Sequence, residues 1–210
     1  MAACPHVGPS TTKRKEERLP TGVPIRDAEQ QLFAAAERVL LRDGPNALTS
    51  RSVTIEAGVA KGLMHRHFAD FDAFLAALVL DRIARVDRQT TELLSSVGRG
   101  SMVDRLTDAL VELFSPTTVS VVGVIVARPA LRSRLRAAGT ARIPVLGEGT
   151  EMIRSYLDAE RRRGRLARTA DVSAISPLLI GAVHLLCTER ESAPPESAEV
   201  RKIVRAAIGM

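Results

Sequence analysis

Residues 49–68 read TSRSVTIEAGVAKGLMHRHF and decide the fold. Thr49 suits the N-cap of a short helix. Gly58 then allows the chain to reverse sharply with a positive φ, and a second short segment runs over residues 60–66. Two short helices joined by a tight turn that contains glycine are typical of a helix-turn-helix. The second helix would project polar side chains into a major groove wide enough to accept it.

The segments on either side also follow helical patterns. Before the turn, apolar positions recur at helical spacing from Ala28 and stop near Asp43-Gly44-Pro45. After the turn, Asp70 can cap a long helix that continues towards Gly98, and the helical period persists beyond it. Residues 119–127 are apolar enough for a buried strand or a buried helix. We predict a helix there, because the neighbours are helical and no second strand is available for pairing. The predicted fold class is therefore all-α.

Composition limits the class of protein. Among 210 residues, 45% are hydrophobic and 26% are charged, which excludes a wholly disordered chain. No run reaches the roughly 18 apolar residues of a membrane span, so no membrane partner is expected. Two cysteines provide neither a disulfide framework nor a four-cysteine zinc site, which fits a cytoplasmic location. The net charge of +6 is compatible with a polyanionic partner, although the basic residues are spread along the chain.

Several motifs occur in a specific order, and they are Arg42-Asp43-Gly44, Leu48-Thr49, Ala57-Gly58-Val59 and the run from Lys61-Gly62 to His67-Phe68. With these motifs, residues 28–78 resemble the N-terminal domain of TetR-type transcriptional regulators. The resemblance implies a homodimer and a small-molecule pocket in the C-terminal domain, where ligand binding changes the spacing of two DNA-reading heads. We accordingly expect a flexible N-terminal arm (1–24), a helix-turn-helix DNA-binding domain (25–72) and a helical ligand-binding and dimerisation domain (73–210).

The candidate DNA-binding residues lie on the two short helices, and they are Thr49, Arg51, Lys61, Leu63, His65, Arg66 and His67. Arg51 and Lys61 are the best candidates for reading sequence, since either can reach guanine acceptors. Arg66 is either a phosphate contact or a solvated charge, and His67 is either a phosphate contact or an orienting core residue. The resemblance implies a lysine where this chain has Phe71, so phosphate anchoring should differ at that position.

A ligand pocket is expected in the second domain, lined by Leu106, Leu110, Glu112, Phe114, Val122, Ile125, Ile153, Tyr156 and His184. Glu112, Tyr156 and His184 would supply its few polar contacts. Most phenylalanines belong to the DNA-binding half, so an aromatic cage for cations is lacking. The expected effector is therefore apolar, an aliphatic or carbonyl-bearing molecule. The alternative is that these residues simply fill a core.

The apolar pattern near the end of the chain predicts a homodimer. Two apolar helices, near 172–188 and 196–208, have faces wide enough that pairing with a second copy would form a four-helix interface. At the other end, the arm 1–24 is either a tail or a basic strand that lies along DNA.

Enzyme chemistry and cofactors are not indicated. His65 and His67 point in different directions on a helix and make a poor metal chelate, and no phosphate loop or nucleophile motif is present. The sequence indicates a ligand-responsive DNA-binding transcriptional regulator, a repressor released from its operator by a small apolar molecule. One alternative is a degenerate head that acts by protein contacts or ligand sequestration. An enzyme on a helical scaffold would need a catalytic group that the sequence does not display.

Overall fold

The described part of the molecule is built from helices. A computed structural model of the protein describes residues 25–60, 62–140, 143–188 and 194–209, so the predicted arm 1–24 and Lys61 lie outside the described residues. Within those ranges there are ten α-helices and no strand, which confirms the all-α prediction. The helices are α1 (Ile25–Asp43), α2 (Ser50–Glu56), α3 (Gly62–His67), α4 (Phe71–Ser95), α5 (Met102–Leu113), α6 (Pro116–Ala127), α7 (Pro129–Ala137), α8 (Leu146–Arg162), α9 (Val172–Thr188) and α10 (Ser197–Ile208).

Local capping sets where the first helices begin. The Thr49 hydroxyl accepts a hydrogen bond from the Ser52 backbone N–H at 3.1 Å, while the Thr49 N–H donates to the Ser52 hydroxyl at 2.9 Å. This reciprocal pair is a capping box, and it fixes the start of α2. The Asp70 carboxylate accepts from the Ala73 N–H at 2.6 Å and starts α4. Both predicted caps are confirmed.

The long helix α4 connects the two parts of the chain. Its first turn follows the helix-turn-helix, and its length carries it into the second part, where it packs against α5, α7 and α8. The expected boundary between residues 25–72 and 73–210 lies in the first turn of this continuous helix. In the second part α9 packs between α8 and α10, α10 also packs on α5, and α6 lies against α1. Residues 119–127 belong to α6, which confirms the helix predicted there.

An aromatic cluster joins α1 and the end of α3 to α4. The rings of Phe33 on α1, Phe68 after α3 and Phe74 on α4 lie with centroids 5.2–6.2 Å apart, within the range of favourable aromatic pairs. All three side chains are buried. We refer to the described residues of 25–70 as the head and to those from residue 96 onward as the body, with α4 between them.

No described helix is by itself long and apolar enough to span a membrane; α5 and α6 meet that length and composition only as a pair bent by 57°. Among the described residues no group of three or more histidine, cysteine or carboxylate side chains is placed to hold a metal ion.

Candidate nucleic-acid interface

The turn between α2 and α3 has the sharp geometry that the sequence predicts. Gly58 has a φ of 66°, in the left-handed region that favours glycine. The Val59 N–H donates to the Thr54 carbonyl at 3.1 Å and closes the turn. From α1, the Gln31 side-chain amide donates to the Ala57 carbonyl at 2.9 Å. These bonds hold the corner against α1 and set the direction of the chain that enters α3.

A cluster of charges fastens the end of α2 to α1. The two Glu56 carboxylate oxygens lie 2.7 Å from nitrogens of Arg38 and Arg42, and the hydrogen bonds from Arg38 and Arg42 lower the Glu56 pKa. Arg42 also pairs with Asp43 at 2.9 Å. The positive charge of both arginines is therefore matched by carboxylates, and these arginines do not supply free cations to the outer surface.

The helix α3 presents one face to the core and the other to the outside. Met64 is buried, and Phe68, one turn later, is buried with it. Leu63 is half-buried, while His65 and Arg66 are exposed. Because a helix places residues one turn apart on the same side, anchoring by Met64 and Phe68 directs His65 and Arg66 away from the core.

The start of α2 adds a second group of exposed polar residues. Thr49 and Arg51 are both exposed. Neither Arg51 nor Arg66 has an ion-pair partner within the part of the chain that the structure describes, unlike Arg38 and Arg42. Unpaired arginines beside a protruding helix are the electrostatic pattern expected of a surface that meets phosphates.

His67 faces inward. Its Nδ1 lies 3.8 Å from a Glu29 carboxylate oxygen on α1, and its side chain is only 12% exposed. The imidazole also lies beside the Phe68 ring, with centroids 6.3 Å apart. This geometry favours the orienting role over the phosphate contact, whereas His65 and Arg66 remain open to a ligand.

Two arginines that no sequence motif predicts join the body to the head. The Arg128 guanidinium, between α6 and α7, lies 5.5 Å from the centre of the Phe71 ring and donates to the Leu48 carbonyl at 3.3 Å. Arg134 on α7 lies 2.8 Å from the Asp70 carboxylate, and this hydrogen bond lowers the Asp70 pKa. A cation from the body thus lies over the Phe71 ring. The separation of 80 residues between Arg128 and Leu48 leaves no local sequence signal.

The residues predicted for the ligand pocket are mostly closed into the core. Seven side chains are at most 2% exposed, and they are Leu106, Leu110, Phe114, Val122, Ile125, Ile153 and Tyr156. The Tyr156 hydroxyl is buried, and this burial raises the Tyr156 pKa. The His184 ring lies 6.0 Å from the Phe114 ring, while Glu112 is exposed and lines an open cleft against α4.

An apolar stripe lies on the outer face of α9. Its most exposed members are Leu178, at 66%, and Leu185, at 60%. Pro177, Gly181 and Ala182 lie between them and are also exposed. The opposite face of α9 is buried against α8 and α10. An apolar stripe of this kind, left uncovered within one chain, marks a surface suited to another protein.

A comparison with protein families finds a match to the head and the first turns of α4. A family model described as "Bacterial regulatory proteins, tetR family" matches residues 32–78, the segment from α1 to the first turns of α4. This match confirms the resemblance that the motifs of the head indicate. A search of curated proteins finds no match to the chain.

Solved structures extend the likeness to most of the chain. The fatty acid degradation regulator FadR from Bacillus halodurans covers 87% of this chain and 95% of its own, with 16% identity and a TM-score of 0.65. A TetR-family member, SCO1917 from Streptomyces coelicolor A3, covers 87% and 98%, with 22% identity and a TM-score of 0.61. The multidrug binding protein EbrR complexed with malachite green covers 86% and 97%, with 21% identity and a TM-score of 0.59. The fold is thus that of TetR-family regulators over both parts of the chain.

Proposed function

We propose that this chain, whose fold and residues 32–78 are those of TetR-type regulators, binds operator DNA through α3 and the start of α2 and regulates transcription. The proposal rests on one observation, that α3 has one buried face and one exposed face. Met64 anchors one face in the core, while His65 and Arg66 are exposed on the other face, and Arg51 at the start of α2 is exposed as well. A helix held in this way fits the major groove, whose edges carry the sequence information.

The proposed contacts divide between backbone and bases. His65, Arg66 and the start of α2 at Thr49 meet phosphates, while Leu63 and Lys61 approach base edges, with Lys61 outside the described residues. Arg51 reaches either a phosphate or a guanine edge. Phosphate contacts position the protein and base contacts select the sequence, so these two groups should respond differently to mutation.

Operator binding requires two heads, and we propose that α9 and α10 of two copies join them. The exposed stripe around Leu178 and Leu185 would be covered by its equivalent across a two-fold axis. Two heads then bind half-sites separated by about one helical turn, or 34–36 Å. Their binding energies add, which compensates for the modest set of contacts that each head makes.

We further propose that a small molecule bound in the body shifts the heads and releases the operator, which makes the protein a cytoplasmic repressor. EbrR is a multidrug binding protein and FadR a fatty acid degradation regulator, which supports a body of this fold as a receptor for small molecules. An apolar effector among Leu110, Ile125 and Tyr156 would have to separate helices, because these side chains are buried. A ligand acts only by preferring one of the two arrangements, and α4 is the helix that would transmit the change.

Selection of bound DNA from a random pool tests the proposal. We expect a palindromic site, and we expect Arg51→Ala to weaken binding by about 1–3 kcal/mol and to relax preference at one position of each half-site. Lys61→Ala should behave in the same way. Recovery of no preferred sequence, together with affinity that does not fall as salt rises, would favour the degenerate-head alternative that the uncharged Phe71 suggests.

A further inference from the structure

A polar cleft lies between α4 and the junction of α5 with α6. It encloses about 290 Å³, and its wall on α4 carries three arginines, Arg82, Arg85 and Arg88. The facing wall carries Glu112, Ser115 and Thr118. This cleft is open without any movement of helices, in contrast to the closed apolar core beside it.

The start of α6 makes one end of the cleft attractive to negative charge. Ser115 precedes the helix but its side chain does not cap it, and its hydroxyl instead lies 3.0 Å from the Thr118 hydroxyl. The first backbone N–H groups of a helix have no acceptor within the helix, and the helix dipole adds positive potential at the same place. Pro116 has no N–H and the Val119 N–H bonds to the Ser115 carbonyl, so the backbone donors left at this end are the N–H groups of Thr117 and Thr118. With the hydroxyl groups of Ser115 and Thr118 beside them, they can donate to an anion.

Arg82 supplies a buried donor to the cleft from the α4 side. Its side chain is 10% exposed, and its Nε is buried without a hydrogen-bond partner. Burial lowers the Arg82 pKa, which reflects the cost of holding a cation away from water. A buried donor without a partner is costly, and an acceptor placed in the cleft would remove that cost.

We propose that this cleft binds a small organic anion that carries a carboxylate together with a hydroxyl or amine group. Arg82 pairs with Glu37, and Arg85 pairs with Asp81 at 3.1 Å, so neither is a free cation. The ligand carboxylate is therefore recognised mainly by Arg88, which has no such pair among the described residues, together with the Arg82 Nε and the start of α6. The second group is required because Glu92 and Glu112 also line the cleft, and their carboxylates accept hydrogen bonds but repel a bare anion. This ligand is more polar than the apolar effector proposed for the core of the body, and it occupies the open cleft rather than that closed core.

The cleft is connected to the head through Glu37. This residue of α1 accepts a hydrogen bond from Arg82 and lies 3.5 Å from an Arg85 nitrogen. An anion in the cleft competes with Glu37 for the same guanidinium groups and so weakens the contact of α1 with α4. The ligand and the arrangement of the head must then influence each other equally, because coupling between two sites is reciprocal. This consequence rests on the proposed function, whereas binding of the anion does not.

Calorimetric titration of the intact protein without DNA tests the site. The probes are malate, which has two carboxylates and a hydroxyl, and malamide, its neutral diamide of similar shape. We expect malate to bind and malamide not to bind. Arg88→Gln, on the exposed edge of the cleft, should weaken malate binding by about tenfold or more, since it removes a charge-assisted donor. Arg154→Gln, an exposed arginine of α8 outside the cleft, is the matched control and should leave it unchanged.

Glu37→Gln gives the sharper result, because removing the competing carboxylate should strengthen malate binding severalfold. Absence of malate binding up to about 10 mM, equal binding of malamide, or an equal loss in Arg88→Gln and Arg154→Gln would overturn the proposal. So would a Glu37→Gln variant that folds but binds malate no better than the wild type. Operator binding measured separately without malate distinguishes failure of this site from failure of the proposed function.

Discussion

Replacing Leu178 and Leu185 together by aspartate should separate the proposed dimer. Full burial of a leucine stabilises by about 1.5–3 kcal/mol. Because 66% and 60% of these residues remain exposed in one chain, covering each supplies about 1–2 kcal/mol. Two copies contribute four such side chains, so their loss removes about 4–8 kcal/mol and raises the dimer Kd by roughly 10³–10⁶. Burial of the new carboxylates adds to this effect.

Sedimentation velocity over a range of concentrations measures the change. The double variant should sediment as a monomer where the wild type is a dimer, and it should keep its helical circular dichroism, because both side chains are exposed within one chain. The control is Leu41→Asp, on a 45% exposed leucine of α1. A wild-type monomer, an unchanged double variant, or dissociation of the control to the same extent would refute the reasoning.

Three further substitutions test the fold. Gly58→Ala should lower the free energy of chemical unfolding by about 1–2 kcal/mol, because a side chain is strained at a φ of 66°. No atom lies within 4 Å of the added Cβ, so the strain is in the backbone alone. The control Gly62→Ala should cause no comparable loss. Gly149→Ala should lower the free energy of unfolding by about 1–3 kcal/mol, because its Cβ would lie 2.5 Å from the buried Leu113 side chain; an unchanged value would show that the core yields freely. Asp70→Asn should flatten the acid side of the stability–pH curve. The Asp70 pKa is lowered by an arginine of α7, so Asp70 stabilises the fold above the unfolded pKa near 3.8. That stability is lost as pH falls through the folded pKa. Identical acid unfolding curves for the wild type and Asp70→Asn would contradict this.

The head was predictable because its signals are local. Thr49 and Asp70 start helices by bonding to backbone groups three residues ahead, and Gly58 turns the chain by its own φ. Helical spacing also indicated the outer face of α3, although it left the role of His67 open between a phosphate contact and a core residue. Spacing that brings Met64 and Phe68 to one side leaves His65 and Arg66 on the other, so the outer face of α3 could be deduced before its surroundings were known.

Contacts among the head, α4 and the body were less predictable, because they join residues that are far apart in the chain. Arg82 and Glu37 are 45 positions apart, and Arg128 and Leu48 are 80 apart, so neither pair leaves a spacing to recognise. Periodicity placed Tyr156 inside the body, but it cannot distinguish a side chain that fills a core from one that lines a cavity. The polar cleft combines side chains from three helices, and only their packing brings them together.

The salt dependence of operator binding tests the central claim, that the outer face of α3 meets DNA. In a plot of log affinity against log salt concentration, a dimer that loses one phosphate contact in each head has a slope smaller in magnitude by about 2. We predict this change for Arg66→Gln on the selected operator, together with weaker binding at every salt concentration. Arg162→Gln, on another exposed arginine at the end of α8, should leave the slope unchanged. An Arg66→Gln slope equal to that of the wild type would contradict the account.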